Sequence, residues 1–478
     1  MNVMIFKALL PLIIMGAGIV VLMLQIAIRR HHVATFYVGI AVIVLSLAAV
    51  AGLSPTTTLD ATPLLIVDNF ARLFSLLILL AALVTLMASD QWLRFEGAES
   101  GEYTLLILLA TFGAMVLVHA QHAAAFILGL EILGVSVYTL IAYPQRQAVS
   151  VEAGLKYLVL SSASTAILLF GVALIYAATG TLDFQQMGAG VAGANNILIS
   201  CAAILILAGV GFKLSLVPFH MWTPDIYEGA PTPVTGFLAT VSKVAIFASL
   251  LRWYTDARLG EYEAVLVALT FVAILSMVMG NLLALKQDNV KRLLGYSSVA
   301  HMGYLLITVI IFTAPGVADL AREASVWYLI AYTVSTLAAF VALTMVADRG
   351  AYPDSTHREK LQGLFWRQPL VATLLTVALL SLAGVPLTAG FIGKFYVVAA
   401  GVDAQAWSLL VALVLGSAIS IFYYLRTIYS FTGHAELDGG GAVAMTLMSK
   451  TLAVILIIGV LLLGTMPSQL IDQFSWIL

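Results

Sequence analysis

Five ionisable residues lie inside stretches of the chain that are otherwise apolar enough to span a membrane. They are Glu131, Lys156, Lys213, Lys243 and Lys394. A charge at the bilayer centre costs about 2.5–3.5 kcal/mol on insertion scales, and such residues usually face a protein interior or a hydrated cavity. Titratable groups placed one after another through a membrane can pass a proton between them. These residues therefore predict a proton path.

Two of the lysines lie where their helices are predicted to break. Lys213 lies close to Pro218, and Lys394 follows Pro386, with glycines nearby in both segments. Proline removes an amide donor and clashes with the preceding turn. The carbonyls that it frees are tolerated at membrane depth only where protein or water covers them. Interrupted helices at corresponding places in two halves of a chain are typical of transporter sites built from inverted repeats.

Other polar residues could extend such a path. Lys243 follows a serine in the middle of its span, which favours a polar seam. His220 comes just after the first break and changes protonation near neutral pH. It could carry a proton from Lys213 to the adjacent loop, or it could be an ordinary interfacial histidine. His301 and Tyr304 lie one helical turn apart and could carry protons in a span that has no internal acid or lysine.

The partner of Lys156 is open between two carboxylates. Glu131 is central in the fifth span, and a carboxylate there is either protonated or paired with a cation. Lys156 is a candidate because a short loop joins the fifth and sixth spans. Lys156 could equally pair with Glu152, which lies four residues earlier on the same helix, an arrangement that favours an ion pair.

Two other pairs of polar residues have ordinary interpretations. Asp68 and Arg72 are four residues apart, which predicts a self-neutralising pair on one helix face. His119 and His122 flank the turn between the fourth and fifth spans. Histidines at this spacing can bind a metal or a haem, but no second pair is evident, so we predict a plain interfacial turn.

The composition identifies an all-α polytopic membrane protein. Hydrophobic residues make up 62% and charged residues 10% of the 478 positions, whereas soluble domains have about 25% charged residues. Apolar segments of about 20 residues recur throughout and predict roughly fourteen spans surrounded by lipid. The basic residues are dispersed, which argues against a nucleic-acid partner. Cys201 is the only cysteine, so neither a disulfide nor a cysteine-ligated iron–sulfur cluster is expected within this chain.

The spans predict four parts. Residues 1–102 hold the first three helices, 103–254 a first repeat of helices four to eight, 262–430 a second repeat of helices nine to thirteen, and 447–478 the last helix. The broken helices are the seventh and the twelfth. Loops that follow odd-numbered spans carry thirteen of the lysines and arginines, and the other side carries four. The positive-inside rule then places both termini on the periplasmic side of a bacterial inner membrane.

Several long motifs resemble one family. The run 213–234, with Trp-Thr-Pro-Asp-Ile-Tyr-Glu-Gly-Ala-Pro at 222–231, resembles the signature of the antiporter-like membrane subunits of respiratory complex I, the proton-translocating NADH:quinone oxidoreductase. Further matches are Asn-Val-Lys-Arg-Leu-Leu-Gly-Tyr-Ser-Ser at 289–298, His-Met-Gly-Tyr at 301–304, and the run 384–394. The resemblance covers nearly the whole chain.

The resemblance implies a fold and a set of roles. The family has fourteen helices with two inverted five-helix repeats. By analogy Glu131 and Lys156 form a pair, Lys213 and Lys243 are the central lysines, and Lys394 is the exit-side lysine. Within the family the chain is most similar to the subunit N type, because the sister subunit M has glutamate where this chain has Lys394.

The resulting hypothesis is that this subunit moves protons through a relay of buried side chains, driven by quinone reduction elsewhere in a larger complex. The complex would use NADH, flavin, iron–sulfur clusters and quinone, and no redox centre is expected in this chain. Its partners would be other membrane subunits and, through them, a peripheral NADH-oxidising arm. The alternatives are a subunit of a multi-subunit cation/proton antiporter and a non-conducting membrane scaffold.

Overall fold

A computed structural model describes residues 3–53, 58–96, 100–191, 196–346, 356–433 and 445–467. Three long helices and a small antiparallel hairpin precede the predicted repeats. Their bounds are α1 (Val3–Ile28), α2 (His32–Ala51), β1 (Leu59–Thr62), β2 (Leu65–Val67) and α3 (Asn69–Glu96). The sequence analysis did not predict this hairpin, which lies directly before the third helix at Asn69.

The next helices form the segment predicted as the first repeat. They are α4 (Ser100–His119), α5 (Ala123–Ile141), α6 (Ala148–Thr179), a short α7 (Phe184–Val191), α8 (Asn196–Leu214), α9 (Trp222–Gly229), α10 (Thr232–Phe237) and α11 (Lys243–Asp256). A π-helical turn, Leu238–Ser242, joins α10 to α11 and places Lys243 directly after it. Such turns are rare and frequently occur at functional sites.

The remaining helices form the segment predicted as the second repeat and the last span. They are α12 (Glu263–Leu285), α13 (Val290–Ile311), α14 (Ala318–Val346), a short α15 (Leu364–Arg367), α16 (Pro369–Ala383), α17 (Ala389–Asp403), α18 (Trp407–Phe431) and α19 (Leu447–Thr465). Single 3-10 turns lie at Leu259–Glu261 and Arg358–Leu361. Residues 468–478 of the predicted last part lie outside the described residues.

The number of crossings agrees with the sequence prediction. Among the described residues, thirteen helical segments are long and apolar enough to cross a membrane. The predicted twelfth span is present as the two shorter helices α16 and α17. The prediction of an all-α polytopic membrane protein is therefore confirmed. The division into two inverted repeats stays a prediction.

Both predicted breaks are present, and the carbonyls that they free find partners. The helix of span seven stops at Leu214 and resumes at Trp222, whose indole Nε1 donates a hydrogen bond to the Phe212 carbonyl at 2.9 Å. The helix of span twelve stops at Ala383, and the Lys394 ammonium donates to the Ala383 carbonyl at 2.8 Å. Proline and glycine thus set the positions of the breaks, and a buried side chain stabilises each one.

The helices that carry the predicted path lie at the centre of the molecule. The segment from α10 to α11 and the helix α13 are almost completely buried, whereas only about a third of α1 and of α19 is buried. Close packing between α12 and α13 depends on small residues. A Cβ atom at Gly280 would lie 2.7 Å from the Ala300 amide nitrogen, and one at Gly303 would lie 2.9 Å from that of Met277.

Candidate functional site

Lys213 is held between α5, α6 and the break at the end of α8. Its side chain is buried, and its Nζ donates a hydrogen bond to Ser161 Oγ on α6 at 2.5 Å. One turn further along α6, Thr165 donates to the Glu131 carboxylate at 2.9 Å. A Cβ atom at Gly134, one turn from Glu131, would lie 3.5 Å from Lys213 Nζ. The charge that attracts Lys213 is therefore that of Glu131.

Of the two partners that the sequence leaves open for Lys156, Glu131, which the resemblance implies, does not form the pair in this structure. Lys156 Nζ lies 2.7 Å from Glu152 Oε1 and 3.8 Å from Asp225 Oδ2. Thr165, which binds Glu131, is nine residues further along α6. Nine residues of helix rise about 13 Å and turn through about 180°, so the two groups lie at different depths on opposite faces of α6. Glu152, the other candidate, is the partner of Lys156.

Lys243 lies in the centre of the molecule, where its side chain is completely buried. Its Nζ donates to Ser298 Oγ on α13 at 2.6 Å, and the Ser298 hydroxyl lies 2.5 Å from the Tyr332 hydroxyl on α14. The ring of Tyr227 on α9 lies 5.9 Å from the ammonium. A neutral hydroxyl and an aromatic face surround this lysine.

His301, Tyr304 and Lys394 form the other end of the site. His301 Nδ1 is hydrogen-bonded to the Tyr328 hydroxyl at 2.6 Å, and its ring centroid lies 5.4 Å from that of Tyr332. Lys394 Nζ lies 5.5 Å from the centroid of the Tyr304 ring. A cavity of about 10 Å³ lies between His301, Tyr332 and Lys394, which is about the space that one water molecule needs. The structure therefore brings the predicted residues His301, Tyr304 and Lys394 together.

His220 lies in the broken segment between α8 and α9, and its role as a bridge from Lys213 to the loop stays a prediction. Its ring is buried and faces Tyr296 of α13, with a distance of 6.4 Å between the centroids. Within the described part of the chain its ring nitrogens have no side-chain hydrogen-bond partner. His220 thus lies at the contact between the broken helix and α13.

The hydroxyl groups that surround the predicted site residues were missed by the sequence reasoning. They are Ser161, Thr165, Ser298, Tyr328 and Tyr332. Serines and threonines inside apolar helices usually bond to the carbonyl one turn earlier, as Ser136 does to Ile132 at 2.8 Å. The only available signal was the spacing of Ser161 and Thr165, which puts both hydroxyls on one face of α6.

Asp68 binds a different arginine from the one predicted. The prediction was Arg72, but the Asp68 carboxylate accepts two hydrogen bonds from Arg252 of α11, at 2.8 and 2.9 Å. It also caps α3 by accepting from the Ala71 amide at 2.8 Å, while Arg72 reaches the Leu53 carbonyl. Burial raises the pKa of Asp68, but the charge and the hydrogen bonds of Arg252 outweigh this and hold the pKa below its ordinary value. This pair fixes the N-terminal helices to α11.

The two histidines at the turn between α4 and α5 have local roles. His119 Nδ1 is bonded to the Met115 carbonyl at 2.8 Å, and His122 caps α5 by accepting from the Ala124 amide at 3.1 Å. Across the described ranges, no three histidine, cysteine, aspartate or glutamate side chains come together as metal ligands.

Comparisons with known proteins agree with this architecture. Residues 120–420 match the family described as "NADH:quinone oxidoreductase/Mrp antiporter, TM". A chain of the respiratory complex I of Thermus thermophilus, with bound aureothin, is 33% identical, with a TM-score of 0.83 over 97% of this chain and 98% of that one. Two other chains share the fold. A chain of an archaeal membrane-bound sulfane sulfur reductase is 23% identical, with a TM-score of 0.85 over 98% of this chain and 96% of that one. A chain of the Mrp complex of Dietzia sp. DQ12-45-1b is 20% identical, with a TM-score of 0.84 over 100% of this chain and 97% of that one.

Proposed function

The chain belongs to the NADH:quinone oxidoreductase/Mrp antiporter membrane family, and we propose that it translocates protons as a membrane subunit of a respiratory NADH:quinone oxidoreductase. The similarity to the Thermus thermophilus complex I chain supports this over the whole length. Within that complex we propose the subunit N type, on the basis of Lys394. Redox chemistry, with NADH, flavin, iron–sulfur clusters and quinone, would take place in other subunits.

The observation that carries the proposal is the set of three buried lysines bound by neutral groups. Lys213 donates to Ser161, Lys243 to Ser298, and Lys394 to the Ala383 carbonyl. A buried lysine with a carboxylate partner keeps its proton in a fixed ion pair. A buried lysine that is bound to a hydroxyl or a carbonyl can exist as the ammonium or as the amine at smaller cost, because no counter-ion is left unpaired.

Polar groups connect the three lysines. From Lys243 the Ser298 and Tyr332 hydroxyls lead to the His301 ring, and the small cavity joins His301 to Lys394. Between Lys213 and Lys243 the proposed connecting groups are buried hydroxyls in the break, at the start of α9 and in the π-helical turn. Those of Ser215, Thr223 and Ser242 have no hydrogen-bond partner in the described part of the chain, so they can bind water.

Electrostatic repulsion would drive the steps between the lysines. His301 lies close enough to both Lys243 and Lys394 to interact with their charges. A proton that arrives on one of these groups disfavours a proton on the next, so the three titrate as a coupled set. Glu131 would hold a proton on Lys213 until its own charge is neutralised or moves away.

A neighbouring membrane subunit is proposed to cover the outer face of α5. Glu131 lies at the middle of α5 and is exposed on the isolated chain, between the exposed Leu128 and Val135. A carboxylate at this depth in contact with lipid would be costly. A partner helix on this face would shield Glu131 and could change its charge, which would couple the subunits. The peripheral NADH-oxidising arm would connect through such membrane subunits.

The proposed orientation puts the loops after odd-numbered spans in the cytoplasm of a bacterium and both termini in the periplasm. The excess of lysine and arginine in those loops supports it. Labelling of cysteines that are introduced into the α2–α3 and α12–α13 loops, with an impermeant reagent applied to whole cells, tests this orientation.

Purification of the tagged chain from its native membrane, followed by reconstitution in vesicles, tests the function. We expect it to co-purify with NADH-oxidising subunits, and NADH oxidation to acidify the vesicle interior without sodium. The family description also includes Mrp antiporters, so the second candidate is a cation/proton antiporter subunit. Purification without NADH-oxidising subunits, together with sodium-dependent proton flux, would favour that candidate. Assembly with such subunits but no effect of changing any of the three lysines would favour a scaffold.

A further inference from the structure

The mechanism above gives no role to Lys156, yet this residue belongs to a chain of charges that crosses between the two predicted repeats. On the α9 side, Arg292 of α13 binds both Asp225 Oδ1 and Glu228 Oε2, each at 2.8 Å. The other oxygen of Asp225, Oδ2, faces Lys156 of α6 at 3.8 Å. Asp225 therefore stands between a cation of the first repeat and a cation of the second.

The start of α13 is fixed to the end of α9 by further polar contacts. Asn289 donates to Glu228 Oε1 at 3.1 Å, and its own Oδ1 caps α13 by accepting from the Lys291 amide at 2.9 Å. Buried Lys291 donates from Nζ to the Ala230 carbonyl at 2.6 Å. Because these contacts join the first turn of α13 to α9, a shift of α9 has to move α13 as well.

Both helices lead to the lysines of the proposed path. α9 begins eight residues after the end of the helix that carries Lys213. α13 carries Ser298, which binds Lys243 and follows Arg292 by six residues, a rise of about 9 Å along the helix. A displacement at Arg292 would be transmitted through this rigid helix to the hydrogen bond of Lys243.

The exposure of the three charges suits a contact that can be remade. The side chains of Lys156 and Asp225 are 48% and 44% exposed, and that of Arg292 is 26% exposed. Ion pairs at this exposure are weak and are easily exchanged. Lys156 can turn towards Glu152, at 2.7 Å, or towards Asp225. Each choice changes how strongly Asp225 holds Arg292.

We infer that Asp225 is a positioning residue that couples Lys156 on the surface of the first repeat to α13 of the second. This inference rests on the proposed function. When Lys156 moves closer to Asp225, Asp225 holds Arg292 less strongly. The start of α13, still joined to α9 through Asn289 and Lys291, then shifts together with α9. Lys156 thus acts through Asp225 and not through Glu131.

A double-mutant cycle on the assembled complex tests the inference. The variants are Lys156→Gln, Asp225→Asn and the double variant, and the readout is the ratio of protons translocated to electrons transferred. We expect each single change to lower the ratio about twofold and the double change to lower it no further, because both act through one contact. Asp225→Glu should restore most of the ratio. Glu102→Gln on α4, which breaks an exposed ion pair with Arg30, should leave it unchanged, since Glu102 takes no part in the contacts of Asp225.

Three results would overturn the inference. One is an unchanged ratio in Asp225→Asn, another is two single effects that multiply in the double variant, and the third is an equal loss in the control Glu102→Gln. If Asp225→Asn does not assemble, the surface variant Lys156→Gln decides alone, and a wild-type ratio there overturns the inference. Lys213→Ala, measured in parallel, distinguishes a failure of the proposed function from a failure of the coupling alone. If it pumps normally, the proposed function fails, whereas pumping lost in Lys213→Ala but intact in Asp225→Asn refutes only the coupling.

Discussion

Replacement of Gly384 by alanine is predicted to displace Lys394 and to lower proton pumping. Gly384 ends α16 with φ of 85°, in the left-handed region. An added Cβ would lie 2.8 Å from Lys394 Cδ, 3.2 Å from Nζ and 3.3 Å from Cε. The lysine side chain is flexible, so it has to move, and it then loses its hydrogen bond to the Ala383 carbonyl.

The expected loss of stability in Gly384→Ala has two parts. A residue other than glycine in the left-handed region costs about 1–2 kcal/mol, and the loss of a hydrogen bond from a charged group costs about 1.5–3 kcal/mol. Gly180 provides a matched control. It also caps a helix, α6, with φ of 73°, but no atom lies within 4 Å of an added Cβ. Gly180→Ala should therefore show only the first cost.

The assay compares the two variants in reconstituted vesicles and by thermal unfolding. Both variants should unfold at a lower temperature than the wild type, and Gly384→Ala at the lowest. The proton-to-electron ratio should fall in Gly384→Ala and stay at the wild-type value in Gly180→Ala. If Gly384→Ala pumps as well as Gly180→Ala does, the position of Lys394 against the Ala383 carbonyl has no part in translocation.

Three other predictions address separate parts of the structure. Ser298→Ala removes the 2.6 Å hydrogen bond of Lys243 and should lower the pumping ratio, whereas Ser298→Thr should restore it; equal ratios in both variants would contradict this. Gly416→Ala would put a Cβ 2.8 Å from the Tyr304 hydroxyl and should lower the ratio, unlike Gly459→Ala, whose Cβ would meet only an ordinary contact at 3.8 Å. Asp68→Asn should destabilise the protein by about 3 kcal/mol at neutral pH, as expected for a broken buried pair. The arginine partner lowers the pKa of Asp68. The difference in stability between Asp68→Asn and the wild type should therefore be complete above about pH 4, the pKa of aspartate in the unfolded chain, and should vanish as the pH falls through the pKa of Asp68 in the folded protein. A stability difference that persists in acid would contradict the pairing.

Hydropathy and helix-breaking residues were sufficient to predict the spans and both breaks. Proline and glycine act within their own segment, so Pro218 and Pro386 mark interruptions without any knowledge of neighbouring helices. The hairpin 59–67 was missed because its short apolar run resembles the start of the third span. The π-helical turn before Lys243 was missed as well, since no residue type specifies it.

The partners of the charges could not be predicted in the same way, because they depend on how helices rotate against one another. The sequence left the partner of Lys156 open between Glu131 and Glu152, and the resemblance implied Glu131. Half a turn and about 13 Å of α6 separate Lys156 from the residue that binds Glu131. The assignment of Asp68 to Arg72 failed because a carboxylate at the start of a helix turns to cap it. Lys213, Lys243 and Lys394 are buried as predicted, since their cost in lipid is independent of their partners, whereas Lys156 is exposed.

The proton-to-electron ratio of the assembled complex with Lys213→Ala tests the central claim most directly. Lys213 is buried beside the break and bonded to Ser161, whereas Lys450 is an exposed lysine near the start of α19, so Lys450→Ala is the control. The account predicts a lower ratio in Lys213→Ala and a wild-type ratio in Lys450→Ala. A wild-type ratio in a fully assembled Lys213→Ala complex would contradict it.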